Sequence, residues 1–268
     1  MSERTVPDIA WEVDDFGVGV LTLGRPERRG AFTLELIDRW AELLRSAATD
    51  PQVRVVVLTG APGSFCSGID LSALRSIGHD PQAYKQMLVG RIHQVAHACE
   101  WLDKPYLAAI SGDALGAGLD MALMCDLRFA AVSARFSEAY IKLGLVPGDG
   151  GAHLLPPIVG RSRALHLLWT GELLTASQAA EIGLVDQVFT DSALMPGTLD
   201  YARALAAKPP MAVAMIKRAV YQAARLDLRT SLDLISSHMA VLSTSPEHVS
   251  SLGGARRGSG TTSGSDRS

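Results

Sequence analysis

The chain has 268 residues, 47% of them hydrophobic and 20% charged, with a net charge of −3. That composition supports a sizeable core and excludes both a disordered polyelectrolyte and a basic nucleic-acid platform. Three cysteines (Cys66, Cys99, Cys125) cannot all pair, and their spacing fits no zinc or disulfide framework.

The opening stretch, "MSERTVPDIAWEVDD", lacks a signal pattern, and no apolar run approaches ~20 residues. A cytoplasmic soluble protein is expected, with no nucleic-acid or membrane partner. From there, strand-like runs and helical patterns alternate. "GVGVLTL" (17–23) precedes an amphipathic helix over 33–50, with Leu36, Ile37, Trp40, Leu43 and Leu44 on one face. "VRVVVLTG" (53–60) precedes a second helix over 80–103. "PYLAAISG" (105–112), "LRFAAV" (127–132) and "LVDQVF" (184–189) complete the strands. Strand alternating with helix predicts an α/β fold. Past "AKPP" (207–210) the strand signal stops and residues 211–243 read as helix. The expected organisation is a core over 1–205, a helical oligomerisation region over 206–250 and a disordered Gly/Ser-rich tail over 251–268.

Two Gly-containing segments carry chemical interest. "GDALGAGLDMALMCD" (112–126) runs from a strand through a glycine turn into an apolar helix holding Asp120. A helix start presents unpaired N–H groups, and Gly116, Ala117 and Gly118 let a ligand oxygen approach them. "GSFCSGIDL" (63–71) offers a second such turn. Two N–H groups, of Ile69 and Ala117, converging on one oxygen would form an oxyanion hole. Each turn taken alone reads first as a strand-to-helix connection in which glycine permits positive φ. A dinucleotide site is discarded, because "GAGLDM" lacks the third glycine of that fingerprint.

Taken together and in order, "LGRPERRGAF" (23–32), "VVVLTGAPGSFCSGIDL" (55–71), the stretch 104–152 and "GRSRALHLLWTGELLTASQAAEIGLVDQVF" (160–189) resemble the crotonase, or enoyl-CoA hydratase/isomerase, superfamily over about residues 10–245. The resemblance implies a ββα spiral core with a C-terminal helical region, assembled as trimers or hexamers. It implies a coenzyme A thioester as substrate, no permanently bound cofactor and no metal. The thioester carbonyl would be held by the N–H groups of Ile69 and Ala117. The CoA moiety would lie near Ser67, Gly68, Asp70 and Gly116, with Arg25, Arg28 and Lys217 as candidate phosphate partners.

The chain departs from the family at the acid–base positions. Where hydratases of the family carry two glutamates, it has Asp120 and Tyr140. Tyr140, with a reference pKa near 10, is a weak base but a competent hydrogen-bond donor. Glu138, two positions away, would face the same side as Tyr140 on an extended segment. Asp149 in "VPGDGGAH" reads either as a helix N-cap or as a catalytic acid, and a pair with His153 is a lesser option. The expected catalytic set is Asp120 and Asp149 flanking the acyl group, with Tyr140 assisting, Asp120 facing the acyl chain, and Asp126 a polar stop at the helix end. "HQVAH" (93–97) lacks the acid of a zinc helix and reads as a solvated face, and Cys66 has no adjacent base. The expected function is hydration or isomerisation of an enoyl-CoA. The competing readings are a crotonase-fold hydrolase or carbon–carbon lyase, and a non-catalytic acyl-CoA-binding protein.

Overall fold

The computed structural model describes residues 8–78 and 80–250. These divide into two compact units, one ending at Ala207 and one beginning at Lys208. The first is built on a six-stranded sheet. Its strands are β1 (Ile9–Val13), β2 (Val18–Leu23), β3 (Val55–Gly60), β4 (Tyr106–Ile110), β6 (Leu127–Ala131) and β9 (Gln187–Phe189), in that spatial order. β1 pairs antiparallel with β2 and every later pairing is parallel. A second, three-stranded sheet joins β5 (Asp113–Leu115), β7 (Arg135–Ser137) and β8 (Leu174–Thr175).

The interior strands are apolar along their whole length because both faces are covered. All six residues of β3 and all five of β4 are buried. Helix α1 (Leu34–Thr49) starts at Thr33, whose hydroxyl accepts the Leu36 N–H, and buries Leu36, Ile37, Trp40, Leu43 and Leu44. Trp40 Nε1 donates to the Tyr106 hydroxyl at 3.1 Å, which ties this helix to β4 without an orphaned polar group.

The expected strands are present but shorter. Leu184 and Val185 precede β9 instead of joining it, their N–H groups both turned back to the Ala179 carbonyl. β1, β5, β7 and β8 carry no legible period; the last three are too short to show one.

The helix expected over 80–103 is three pieces: α3 (Pro81–Met87), a π turn (Leu88–Ile92) and α4 (His93–Glu100). Met87 and Ile92 are both buried although they lie five positions apart, the spacing of a π turn and not of an α turn. Between β3 and α3 lies α2 (Leu71–Ile77). After β5 comes α5 (Ala117–Leu123), with every residue buried. It ends three residues before Asp126, whose carboxylate accepts the Tyr106 N–H at 2.7 Å and so anchors the edge of β4. Helices α6 (Gly151–Val159), α7 (Arg161–Thr170), α8 (Ala176–Glu181) and α9 (Leu194–Ala206) complete the first unit.

The second unit holds α10 (Pro210–Ala223) and α11 (Leu228–Leu242), with Asp227 capping α11 through the N–H groups of Arg229 and Thr230. Ile216, Val220, Leu228, Leu232 and Met239 are exposed there. The expected tail over 251–268 lies outside the described residues. No helix among the described residues is long and apolar enough to cross a membrane.

Candidate active site

The two glycine segments meet. Isolated parallel bridges join Phe32 to Ile69 and Cys66 to Ala114, and the Leu115 N–H donates to the Cys66 carbonyl at 3.0 Å. The chain after β3 is thereby stitched to the strand that leads into α5. A side chain at Gly68 (φ +93°) would stand 3.5 Å from the Ala117 nitrogen and 3.2 Å from the Leu115 carbonyl oxygen. The peptide units carrying the Ile69 and Ala117 N–H groups are therefore neighbours. Among the described residues neither N–H is taken by a backbone acceptor. Gly116 holds φ +51°, ψ −120° before α5, where a side chain would be strained. Helix α5 has seven residues, so the two N–H groups themselves, more than a macrodipole, supply the donors.

Both segments open into a cavity of about 590 Å³. Gly68, Ile69, Gly116 and Ala117 line one side, and Leu74, Tyr84, Met87, Leu88, Ile92 and Val146 form an apolar wall. The π turn brings Leu88 and Ile92 to that wall together. Tyr140, Gly148 and Asp149 close the remaining side, and Arg28, Arg29 and Lys142 supply cations.

The acid groups form one array. The Tyr140 hydroxyl lies 2.7 Å from Asp120 Oδ2 and 3.0 Å from Asp149 Oδ2, and the Asp149 N–H donates to Asp120 Oδ2 at 3.1 Å. A phenol has one hydrogen, so it serves only one of the two carboxylates at a time. Burial, followed by the charges of Asp120 and Asp149, holds that phenol far above its ordinary range, so Tyr140 is a donor and not a base. Burial, then the Asp120 charge, pushes Asp149 up to about 6, against the opposing Tyr140 hydrogen bond and nearby His93. Burial also raises Asp120, opposed first by the Tyr140 hydrogen bond and then by the N–H groups of Asp149 and Gly151. Glu138, 1% exposed, is pushed up to about 10 by burial and by the Asp120 charge.

Several expected roles change in the structure. Asp120 is fully buried and does not line the cavity; it stands behind Tyr140, its Oδ2 taken up by two donors. Asp149 is not an N-cap. Helix α6 is preceded by Gly150 with no side-chain cap, and the Asp149 carboxyl turns into the array, where Oδ1 has no hydrogen-bond partner among the described residues. His153 is exposed and forms no pair with it. Glu138 joins the array although residues 139–143 form a 3₁₀ turn and not an extended segment, because the chain turns inward at the end of β7.

Of the cations, Arg28 lines the cavity but Arg25 does not. Arg25 donates to Asp70 at 3.0 Å and to the Ala31 carbonyl at 2.8 Å, holding the first turn to the second. Asp70 lines the cavity while capping α2 through the Ser72 N–H; Ser72, then Arg25, holds it down at about 2. Ser67 lines the cavity and its hydroxyl donates to the Arg28 carbonyl. Lys217 lies over the Tyr221 ring in the second unit and is not among the lining residues. In "HQVAH" only His97 is exposed; the His93 ring bonds the Gly148 carbonyl at 2.8 Å and supports the turn that carries Asp149. The Cys66 thiol is buried and pushed up to about 12, no nucleophile. Lys142, Arg29 and Tyr84 escaped the sequence reading, since nothing in their spacing marks them as facing a cavity.

A family model described as enoyl-CoA hydratase/isomerase matches residues 14–250. The 1,2-epoxyphenylacetyl-CoA isomerase of Escherichia coli is 38% identical, over 87% of this chain and 89% of its own. A short-chain-enoyl-CoA hydratase of Clostridium acetobutylicum is 33% identical, over 80% and 82%. Among solved structures, an enoyl-CoA hydratase from Mycobacterium smegmatis superposes with a TM-score of 0.89 at 30% identity, covering 94% of this chain and 97% of that one.

Proposed function

The chain belongs to the enoyl-CoA hydratase/isomerase family, and we propose that it moves the double bond of an enoyl-CoA thioester with Asp149 as its base. The carrying observation is the Tyr140 hydroxyl lodged between Asp120 Oδ2 and Asp149 Oδ2, which leaves Asp149 as the one of the two carboxylates that lines the cavity, its Oδ1 without a hydrogen-bond partner among the described residues. Hydration across a double bond asks two groups to share the work, one activating water and the other delivering a proton. Here the oxygens that would hold such a water between them both face the phenol. A base that removes a proton from one carbon and returns it to another needs a single carboxylate.

In this reading the thioester carbonyl of a 3-enoyl-CoA accepts the N–H groups of Ile69 and Ala117. Asp149 removes a proton from C2, and the electron pair passes to the thioester oxygen as a dienolate held by those two donors. The protonated Asp149 then delivers the same proton to C4, giving the conjugated 2-enoyl-CoA with no net change in atoms. Tyr140 and Asp120 hold Asp149 in place, and neither touches the reacting carbons. The apolar wall formed by Leu74, Met87, Leu88 and Ile92 takes the acyl chain. Arg28, Arg29 and Lys142 are the candidate partners of the CoA phosphates. Self-association as trimers or hexamers belongs to the same reading, supported by the exposed apolar side chains of α10 and α11.

The test offers purified protein a 3-enoyl-CoA and, separately, a 2-enoyl-CoA. Appearance of the conjugated-thioester absorbance with the first, lost in Asp149→Asn, supports the isomerase. Its loss with the second alone identifies a hydratase. Free CoA or a cleaved acyl product identifies a hydrolase or lyase, and binding with no turnover identifies an acyl-CoA-binding protein.

A further inference from the structure

The mechanism above leaves the buried carboxyl of Glu138 unused. Glu138 is 1% exposed, does not line the cavity, and among the described residues neither of its carboxyl oxygens has a hydrogen-bond partner apart from the Asp120 carboxyl within reach behind it. Asp120 Oδ1 likewise has no side-chain partner among the described residues apart from Glu138. The two carboxyls crowd one point: a side chain added at Gly151 would meet Asp120 Oδ1 at 2.2 Å and Glu138 Oε1 at 3.1 Å. Two buried carboxylates cannot both stay ionised at such a place.

We propose that Glu138 is a positioning residue: its carboxyl, sealed behind Asp120, shares one proton with it and so fixes the charge of the Asp120–Tyr140–Asp149 array. This inference rests on the reading of Asp149 as the base. The rise of Glu138 well above the carboxylate range agrees with a proton retained there at neutral pH. With that proton in place, Asp120 stays an anion, and its charge keeps Asp149 basic enough to take a proton from carbon. The other groups whose charge or hydrogen bonding bears on Asp149 are Tyr140, His93 of α4, Tyr84 of α3 and the Cys66 thiol.

The charge logic separates two variants. Glu138→Gln keeps a neutral donor against Asp120, so the acid limb of kcat/KM stays where it is in the native protein. Glu138→Met fills the space but has no proton to share. Asp120 then takes a proton itself, its charge is lost, and the acid limb set by Asp149 moves down by roughly one pH unit. A role confined to packing moves neither limb. An acid limb displaced in Glu138→Gln, or unmoved in a folded Glu138→Met, overturns the proposal.

Infrared titration of the resting protein, with no substrate, gives a second readout. A buried protonated carboxyl band persists at pH 8 in the native protein and is absent in Glu138→Gln. If the native protein shows no such band, the proposal fails even where Glu138→Met does not fold. The Asp149 band, assigned by its loss in Asp149→Asn, titrates lower in Glu138→Met whether or not a 3-enoyl-CoA is turned over. Failure of the isomerase reading is therefore distinguishable from failure of this one.

Discussion

Replacing Asp149 by Asn should destroy activity and stabilise the protein, and the size of the second effect follows from the array. Asp149 is 4% exposed, and burial with the Asp120 charge raises its pKa from 3.8 to about 6. A carboxylate raised in the native state binds its proton more tightly there than in the unfolded chain. Stability is therefore greatest below the unfolded value and declines as pH rises from about 4 to about 6. Above pH 7 the decline amounts to about 3 kcal/mol, two pKa units and a fraction at 1.36 kcal/mol each. Asparagine carries no charge and can donate to the Tyr140 oxygen, which frees the phenol hydrogen for Asp120. Chemical denaturation at pH 7.5 should find Asp149→Asn more stable by up to about 3 kcal/mol, with the gain roughly halved at pH 5 as the native carboxyl protonates. A gain that is absent, or the same at both pH values, would refute a strained, ionised Asp149.

The other predictions address the remaining parts of the site. Tyr140→Phe removes a hydrogen bond that holds the Asp149 pKa down, so the acid limb of kcat/KM should move above pH 6 while kcat falls roughly 10²-fold; an unmoved limb in a pH-rate profile contradicts the assignment. Gly68→Ala places a methyl 3.5 Å from the Ala117 nitrogen at φ +93°, so kcat should drop about 10²–10³-fold, with backbone strain of about 1–3 kcal/mol lowering Tm. Lys142→Ala should raise KM for a CoA thioester roughly 3–10-fold at low salt and leave kcat unchanged. Arg25→Ala should instead show as a lower Tm, since Arg25 is spent on Asp70 and the Ala31 carbonyl; a KM effect without a Tm effect would reverse that reading.

What was legible in the sequence divides along physical lines. Strands β2, β3, β4 and β6 announce themselves because parallel strands covered on both faces are apolar throughout, and α1 because one face of it alone is buried. The two glycine turns stand out because positive φ and close backbone approach leave a compositional mark. Asp120 stands out as a carboxylate in an apolar helix, whereas Tyr140 is singled out only through the resemblance to the family and Asp149 stays open between a helix cap and an acid. Their division of labour was not legible. Whether Asp120 faces the cavity or stands behind Tyr140 depends on where the 3₁₀ turn over 139–143 and the Gly150–Gly151 start of α6 place their side chains. Those are tertiary facts. The same holds for His93, whose bond to the Gly148 carbonyl spans 55 positions of sequence, and for the π turn, which a helical period of 3.6 cannot reveal.

The central claim is that one carboxylate, Asp149, carries the proton between two carbons of a thioester held by Ile69 and Ala117. The most direct test is turnover of 3-hexenoyl-CoA in deuterium oxide, followed by mass spectrometry of the 2-hexenoyl-CoA formed, with Asp149→Asn alongside. The account predicts conjugated product, a substantial share of it formed with the original proton carried internally from C2 to C4, and none from Asp149→Asn. A product labelled fully from solvent, or full activity in Asp149→Asn, would contradict it.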